Sequence, residues 1–254
     1  MNKTVKYVAI ISAACAAFAV RPALAFDIGG LVGAGSKMVQ AATLSDADIK
    51  TLSDKACAQS DKQEKLAAPG SKYDVRVQKL GKQLGNNING QPVNYKVYIT
   101  KDVNAWAMGN GCIRVYSGLM DMMTDDELLG VIGHEMGHVA LGHSKKAMQT
   151  AYTVSAARDA ASAAGGATVA ALNSSQLGDL TEKFVNAQFS QSQESAADDY
   201  SFDQLKARGL QTQGLVTAFQ KLAKLDGGKS DMMSSHPSST KRAEHIQQRI
   251  ASNK

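Results

Sequence analysis

Two histidines four residues apart, with a glutamate directly after the first, make up the run His134-Glu135-Met136-Gly137-His138. On an α-helix, residues i and i+4 lie on one face, so both imidazoles can point at one cation while Glu135 stands beside it. A catalytic zinc takes three protein ligands and keeps a position for water. It draws the pKa of that water toward ~7, where an adjacent carboxylate can take the proton. The pattern therefore suits hydrolysis by an activated water with a glutamate base. A five-residue pattern with two free positions also arises by chance, as an exposed histidine pair with an ordinary acidic neighbour. Against that, the run follows the apolar Leu128-Leu129-Gly130-Val131-Ile132. Gly137 inside the helix also costs about 1 kcal/mol relative to Ala, which suggests close packing or metal approach.

The third ligand separates the possible subclasses. The metzincin pattern would place glycine at 141 and histidine at 144, but the chain has Leu141 and Ser144 there. His143 is one residue out of register and reads as a helix C-terminal residue that favours the dipole. A carboxylate on a second helix is the alternative, and Glu194 in Glu194-Ser195-Ala196-Ala197-Asp198-Asp199 supplies it. Asp198 falls one turn later on the same face, placed to accept the free N–H of a ligand histidine and orient its ring. Alone, the two acids would read as a solvated face. Beside the histidine pair they read as a third ligand and its supporting neighbour.

The elements that must position these groups follow from periodicity and punctuation. Ser45 can cap a helix from Asp46 to about Ala67, and Pro69-Gly70 breaks the pattern. Tyr73 to Leu84 repeats apolar residues at helical spacing. Asn86 to Pro92 is turn chemistry around Asn89-Gly90, and Val93 to Thr100 alternates like a half-buried strand. Cys112 to Tyr116 is a second strand, and Thr124-Asp125-Asp126-Glu127 is a capping box. The helix it opens carries the histidine run and should end near Gly142. Residues 147 to 180 read as two small-residue helices broken at Gly165-Gly166, closely packed or forming a lid. Arg158-Asp159 argues against a membrane hairpin there. Thr181 is expected to cap a long helix to about Arg208, ended by Gly209. Leu215 to Leu225 is a further helix, and the last begins at Ser239 or Thr240. The reading is α+β, mainly helical.

Four segments stand in a telling order: Asn104-Ala105-Trp106-Ala107, the histidine run, Glu194 to Asp198, and His236-Pro237 through Arg242. In that order the chain resembles the gluzincin metallopeptidases of the HtpX and CAAX-prenyl-protease family, from about Leu44 to Ile250. The resemblance implies a zincin-like peptidase domain with a small antiparallel sheet beside the active-site helix. It also implies one Zn2+ per chain, held by His134, His138 and Glu194, with Glu135 as the catalytic base. Asn104, Ala105 and Trp106 resemble the edge segment along which a substrate main chain lies as an added strand. His236 resembles the histidine that hydrogen-bonds the oxyanion, and Arg242 the arginine that supports it. From its residues alone, His236 would read as a polar turn residue before Pro237. His245 reads as a surface residue of the last helix. Unlike the membrane-embedded relatives, this chain has no long apolar spans, which puts prenylated substrates in doubt and leaves proteolysis intact.

Compartment comes from the first residues. Lys3 and Lys6 precede an apolar run from Val8 to Val20, and Ala23-Leu24-Ala25 is a cleavage site, as in a secretory signal peptide. Residues 1–25 are thus expected to be removed, leaving Phe26 as the new N-terminus, a loose leader over 26–43 and one domain over 44–254. The run is well short of the ~20 residues a spanning helix needs. A lipid anchor on Cys15 is disfavoured, because Ser12 stands where a large aliphatic residue belongs. Removing Lys3, Lys6 and Arg21 takes 28 basic residues to 25, against 23 acidic ones, a balance of +2. That small excess gives no support to a nucleic-acid partner. Cys57 and Cys112 remain and are expected to pair in an oxidising compartment. Location and family together predict the periplasm of a Gram-negative bacterium, polypeptide substrates, and at most peripheral contact with the outer membrane or envelope proteins. The rival function is an assembly factor or chaperone that binds unfolded chains on the same fold. Nothing in the sequence sets an oligomeric state.

Overall fold

The computed structural model describes residues 44–161, 169, 172–225, 235–236 and 239–252. The expected cleavage site, the 26–43 leader, Cys15 and the Gly165-Gly166 break lie outside these residues. So does Pro237.

Two helices, α1 (Asp46–Gln63) and α2 (Lys72–Leu84), precede the strands β1 (Asn87–Ile88), β2 (Gln91–Pro92), β3 (Asn94–Tyr98), β4 (Ala105–Ala107) and β5 (Cys112–Tyr116). Then come α3 (Ser117–Met122), α4 (Asp125–Ala140), α5 (His143–Ala161), α6 (Ser174–Val185), α7 (Gln191–Ala207), α8 (Gln213–Lys224) and α9 (Ser239–Ser252). The mainly helical α+β reading holds. Strands β1 and β2 form a minimal antiparallel hairpin whose turn residues, Asn89 and Gly90, both have positive φ, as a type I′ turn requires. The larger sheet runs β3-β5-β4 and is mixed rather than wholly antiparallel, because β5 is parallel to β3 and antiparallel to β4.

Alternation along these strands divides the interior in two. Tyr95, Val97, Ala105, Ala107, Ile113 and Val115 join the core built by α2, α4, α7, α8 and α9. Tyr98, Trp106 and Cys112 face the other way, into a smaller cluster with α1, α5 and α6. Cys57 and Cys112 are joined by a disulfide that ties α1 to β5 across this second cluster. Beside it, Arg114 is fully buried and satisfied by Asp61 through Nε and Nη2 at 2.8 and 2.9 Å.

Helix α4 is the central element. Every residue from Glu127 to His138 is buried, as expected of a helix packed on all sides. The Thr124–Glu127 capping box starts it, and Gly142 at φ +75° follows its last turn. One expectation needs correction at α7. Thr181 lies inside α6, and α7 starts instead from a capping box between Ser190 and Gln193. The Asn186 to Ser190 stretch separates the two helices, so the single long helix is in fact a pair.

Three glycines explain how α4 meets its neighbours. A Cβ on Gly137 would lie 2.9 Å from the Ala197 carbonyl oxygen, and one on Gly133 would lie 2.6 Å from Ser201 Oγ. On Gly130 it would meet Leu215 Cα of α8 at 2.9 Å. The Ser201 hydroxyl also donates to the Gly130 carbonyl at 2.8 Å. Gly137 is therefore a close-packing glycine. Gly137→Ala should lower the thermal midpoint despite its better helix propensity, because overpacking costs about 1–3 kcal/mol against the ~1 kcal/mol gained. A midpoint at or above wild type in a melting experiment would contradict this.

Candidate metal centre

The close approach of α4 and α7 brings two i,i+4 pairs face to face: His134 and His138 on one helix, Glu194 and Asp198 on the other. His138 Nε2 lies 3.0 Å from His134 Nε2 and 3.3 Å from Glu194 Oε1. His236 reaches the same point from the chain before α9, with Nδ1 2.9 Å from Glu194 Oε1 and 3.3 Å from His134 Nε2. Its segment is held by a backbone hydrogen bond from Phe189 N–H to Ser235 O. One ligand atom from each of His134, His138, Glu194 and His236 falls within 4.8 Å of all the others, and all four residues are buried.

The surroundings orient these groups as a metal would need. Asp198 Oδ1 accepts from His134 Nδ1 at 2.7 Å, the contact expected of it, and leaves Nε2 toward the cluster. His138 Nδ1 faces His143 Nδ1 at 3.0 Å. His143 thus opens α5 and backs the second histidine, and does not end the preceding helix as expected. Arg242 makes a fork to Asp198, 2.8 Å from Nε and 2.6 Å from Nη2, and sets Nη1 2.7 Å from Glu194 Oε2. Its guanidinium stacks 4.0 Å over Phe219, and Nη2 is 3.0 Å from His134 Nδ1. Arg242 therefore braces the α7 acids and His134; the expectation that it supports His236 finds no direct contact among the described residues.

Electrostatics points the same way. Burial pushes His134 and His138 below the usual histidine range, helped by Arg242 for the first and by His134 for the second. Burial alone would raise Glu194, but His236, His138 and His134 hold it well below the usual carboxylate range. Asp198 is likewise lowered, Arg242 overcoming the effect of burial. Neutral imidazoles and an ionised carboxylate are the forms that bind a metal. Burial raises the Glu135 carboxyl to about 7; His236 opposes this and Glu194 adds to it. Burial would lower His236, yet Glu194 and Glu135 raise it. Glu135 Oε1 is buried without a hydrogen-bond partner among the described residues, whereas Glu194 Oε2 is met by Arg242 Nη1. Buried polar groups are ordinarily paired, so an unpaired carboxylate oxygen beside three imidazoles and the Glu194 carboxylate fits a cation.

The edge segment is placed less openly than expected. Ala105 and Trp106 lie on the edge strand β4 of the sheet and Asn104 directly precedes it, and all three are buried. Tyr116 N–H bonds Asn104 O and Met108 N–H bonds Cys112 O, so by antiparallel alternation Ala105 and Ala107 turn their backbone groups outward. The chain's own side chains already take two of those groups: Asn104 Oδ1 accepts from Ala105 N–H, and Ser144 Oγ donates to Ala107 O. The resting edge is partly self-satisfied. Sequence reading missed Phe189, which stacks 3.9 Å from His138 and 5.3 Å from His236. Its one signal is an isolated aromatic just before the Ser190 cap, a position that ordinarily packs back on its own helix.

The comparisons with known proteins agree with this geometry. The model of peptidase family M48 matches residues 71–250. The chain belongs to that family. It is 57% identical over 229 residues to metalloprotease YcaL of Escherichia coli (strain K12), covering 90% of each chain. It is 58% identical over 226 residues to metalloprotease LoiP of the same organism, covering 89% of each. A putative beta-barrel assembly-enhancing protease of Vibrio cholerae is 27% identical over 158 residues, 58% of this chain and 32% of that one. The chain is a metallopeptidase, and its substrates are polypeptides.

Replacing Asp198 tests the orienting network. Asp198→Asn should weaken metal affinity roughly 10–100-fold, the usual cost of losing a partner behind a ligand histidine. Titration calorimetry with Zn2+ measures it, and unchanged affinity would show that the His134–Asp198 bond positions nothing.

Proposed function

We propose that this metallopeptidase is a zinc-dependent endopeptidase of the bacterial periplasm, acting on unfolded or misassembled envelope polypeptides. The observation that carries the chemistry is a buried carboxylate, Glu135, whose Oε1 has no hydrogen-bond partner among the described residues and which lies directly beside the cluster of His134, His138 and Glu194. Those three residues would hold the ion, a nitrogen and oxygen donor set suited to catalytic zinc. Zinc bound there supplies Lewis acidity to the attacking water and the scissile carbonyl.

The chain's own residues do the rest. Glu135 takes the proton of the attacking water at Oε1 and passes it to the leaving amine; its raised pKa suits it to both. His236 presents Nε2 3.6 Å from Glu135 Oε1, on the side where it can donate to the oxyanion. Asp198 and Arg242 hold the ligand set in place. His236 also stands among the ligand atoms, and four protein donors would leave no position for water. In this reading His236 therefore serves the oxyanion and is not a ligand of the ion. The outward groups of Ala105 and Ala107 align the substrate main chain once Asn104 and Ser144 yield them.

The periplasmic setting rests on the leader sequence, together with the Cys57–Cys112 disulfide, since such bonds persist in oxidising compartments. No helix among the described residues is long and apolar enough to cross a membrane.

Glu135→Gln tests the mechanism. It should retain zinc and lose cleavage of an unfolded protein by about 10²-fold or more. Undiminished cleavage by the pure variant would end the assignment of Glu135 as base.

A further inference from the structure

A cavity of about 450 Å³ opens between α5 and the α6–α7 connection. Two of its lining residues belong to the site already described. His143 faces His138, and Phe189 stacks on His138 and His236. The cavity therefore borders the cluster, separated from it by these two side chains. Ala147, Ala151 and Val154 of α5 give it an apolar wall, with Phe189 opposite.

Charge at this cavity has one sign. Lys146 and Lys183 line it, and no aspartate or glutamate among the described residues does. Lys146 is exposed, while Lys183 is half-buried and donates to Ser155 Oγ at 2.8 Å, which holds its ammonium toward α5. Small residues at 147, 151 and 187 leave room for a large side chain, and the two ammonium groups at the rim favour a carboxylate next to it.

We propose that this cavity is a side-chain subsite of the cleft that takes a large apolar residue adjoining an acidic one. This rests on the endopeptidase reading and gives it a substrate class: peptides in which an apolar side chain near the scissile bond is followed or preceded by Asp or Glu. The apolar side chain occupies the wall formed by α5 and Phe189. The neighbouring carboxylate meets Lys146 and Lys183.

The test uses two fluorescent peptides alike except for one residue, Phe-Glu against Phe-Lys, with the zinc-loaded chain. Binding is read as Kd by anisotropy on Glu135→Gln, so that cleavage does not interfere. The acidic peptide should bind roughly 5–25-fold more tightly, as expected of two partly exposed charge pairs. Lys146→Glu/Lys183→Glu should reverse the order, and Ala151→Trp, which fills the cavity, should weaken both peptides relative to a Gly-Gly control. Equal Kd values for the two peptides, or a preference that survives the double charge reversal, would overturn the proposal. Cleavage by the wild-type chain is followed separately: a peptide bound with the stated preference but left intact counts against the endopeptidase reading and not against the subsite.

Discussion

Helix α4 lies so close to α7 that a Cβ on Gly137 would press within 2.9 Å of the Ala197 carbonyl and one on Gly133 within 2.6 Å of Ser201 Oγ. That approach is what lets a short carboxylate on α7 reach imidazoles on α4. Glu194 precedes Ala197 by three residues and Asp198 follows it by one, so the same packing that excludes a methyl group at 137 delivers both acids. Glycine in a buried helix costs about 1 kcal/mol of propensity. Here the loss is offset by the interface it permits, and the interface is also the site.

A cluster this buried would be unstable if its charges were left to themselves. Three carboxylates, Glu135, Glu194 and Asp198, meet one buried guanidinium, Arg242, and three buried imidazoles, a donor-rich set that a divalent cation would help to balance. Arg242 is placed where it costs the site least. It forks onto Asp198 and stacks on Phe219, bracing α7 against α9 while leaving Glu135 Oε1 without a hydrogen bond among the described residues. The desolvation that raises Glu135 to about 7 is the same burial that keeps His134 and His138 neutral. One environment thus suits a carboxyl to exchange a proton and keeps two imidazoles in the form that a metal would bind.

Much of this was legible in the residues, because the signals are local. An i,i+4 histidine pair on a capped helix needs only helical geometry, and the Glu194 to Asp198 spacing matches it. The strands at β3 and β5 and the Thr124 cap follow from alternation and capping chemistry in the same way. What escaped depends on the route of the chain between elements. Thr181 looked like a cap because threonine before a polar-apolar run is one; the true cap, Ser190, is set by the turn from Asn186. His143 reads as the end of the histidine helix because sequence spacing cannot show that a new helix starts directly after Gly142 and turns that residue back onto His138. Phe189 carried almost no local signal, since its partner, His138, is fifty-one residues away. The parallel pairing of β3 with β5, through β4 at the edge, is likewise a property of the crossover and not of either strand.

The most direct measurement of the central claim is zinc K-edge X-ray absorption on the chain loaded with one equivalent of Zn2+. The account predicts tight retention of that ion in a sphere of nitrogen and oxygen donors, with imidazole scattering from His134 and His138 and no sulfur. It further predicts that Glu194→Gln loses or markedly weakens the site. A chain that retains no zinc, or one whose zinc is ligated by sulfur or unchanged in Glu194→Gln, would contradict it.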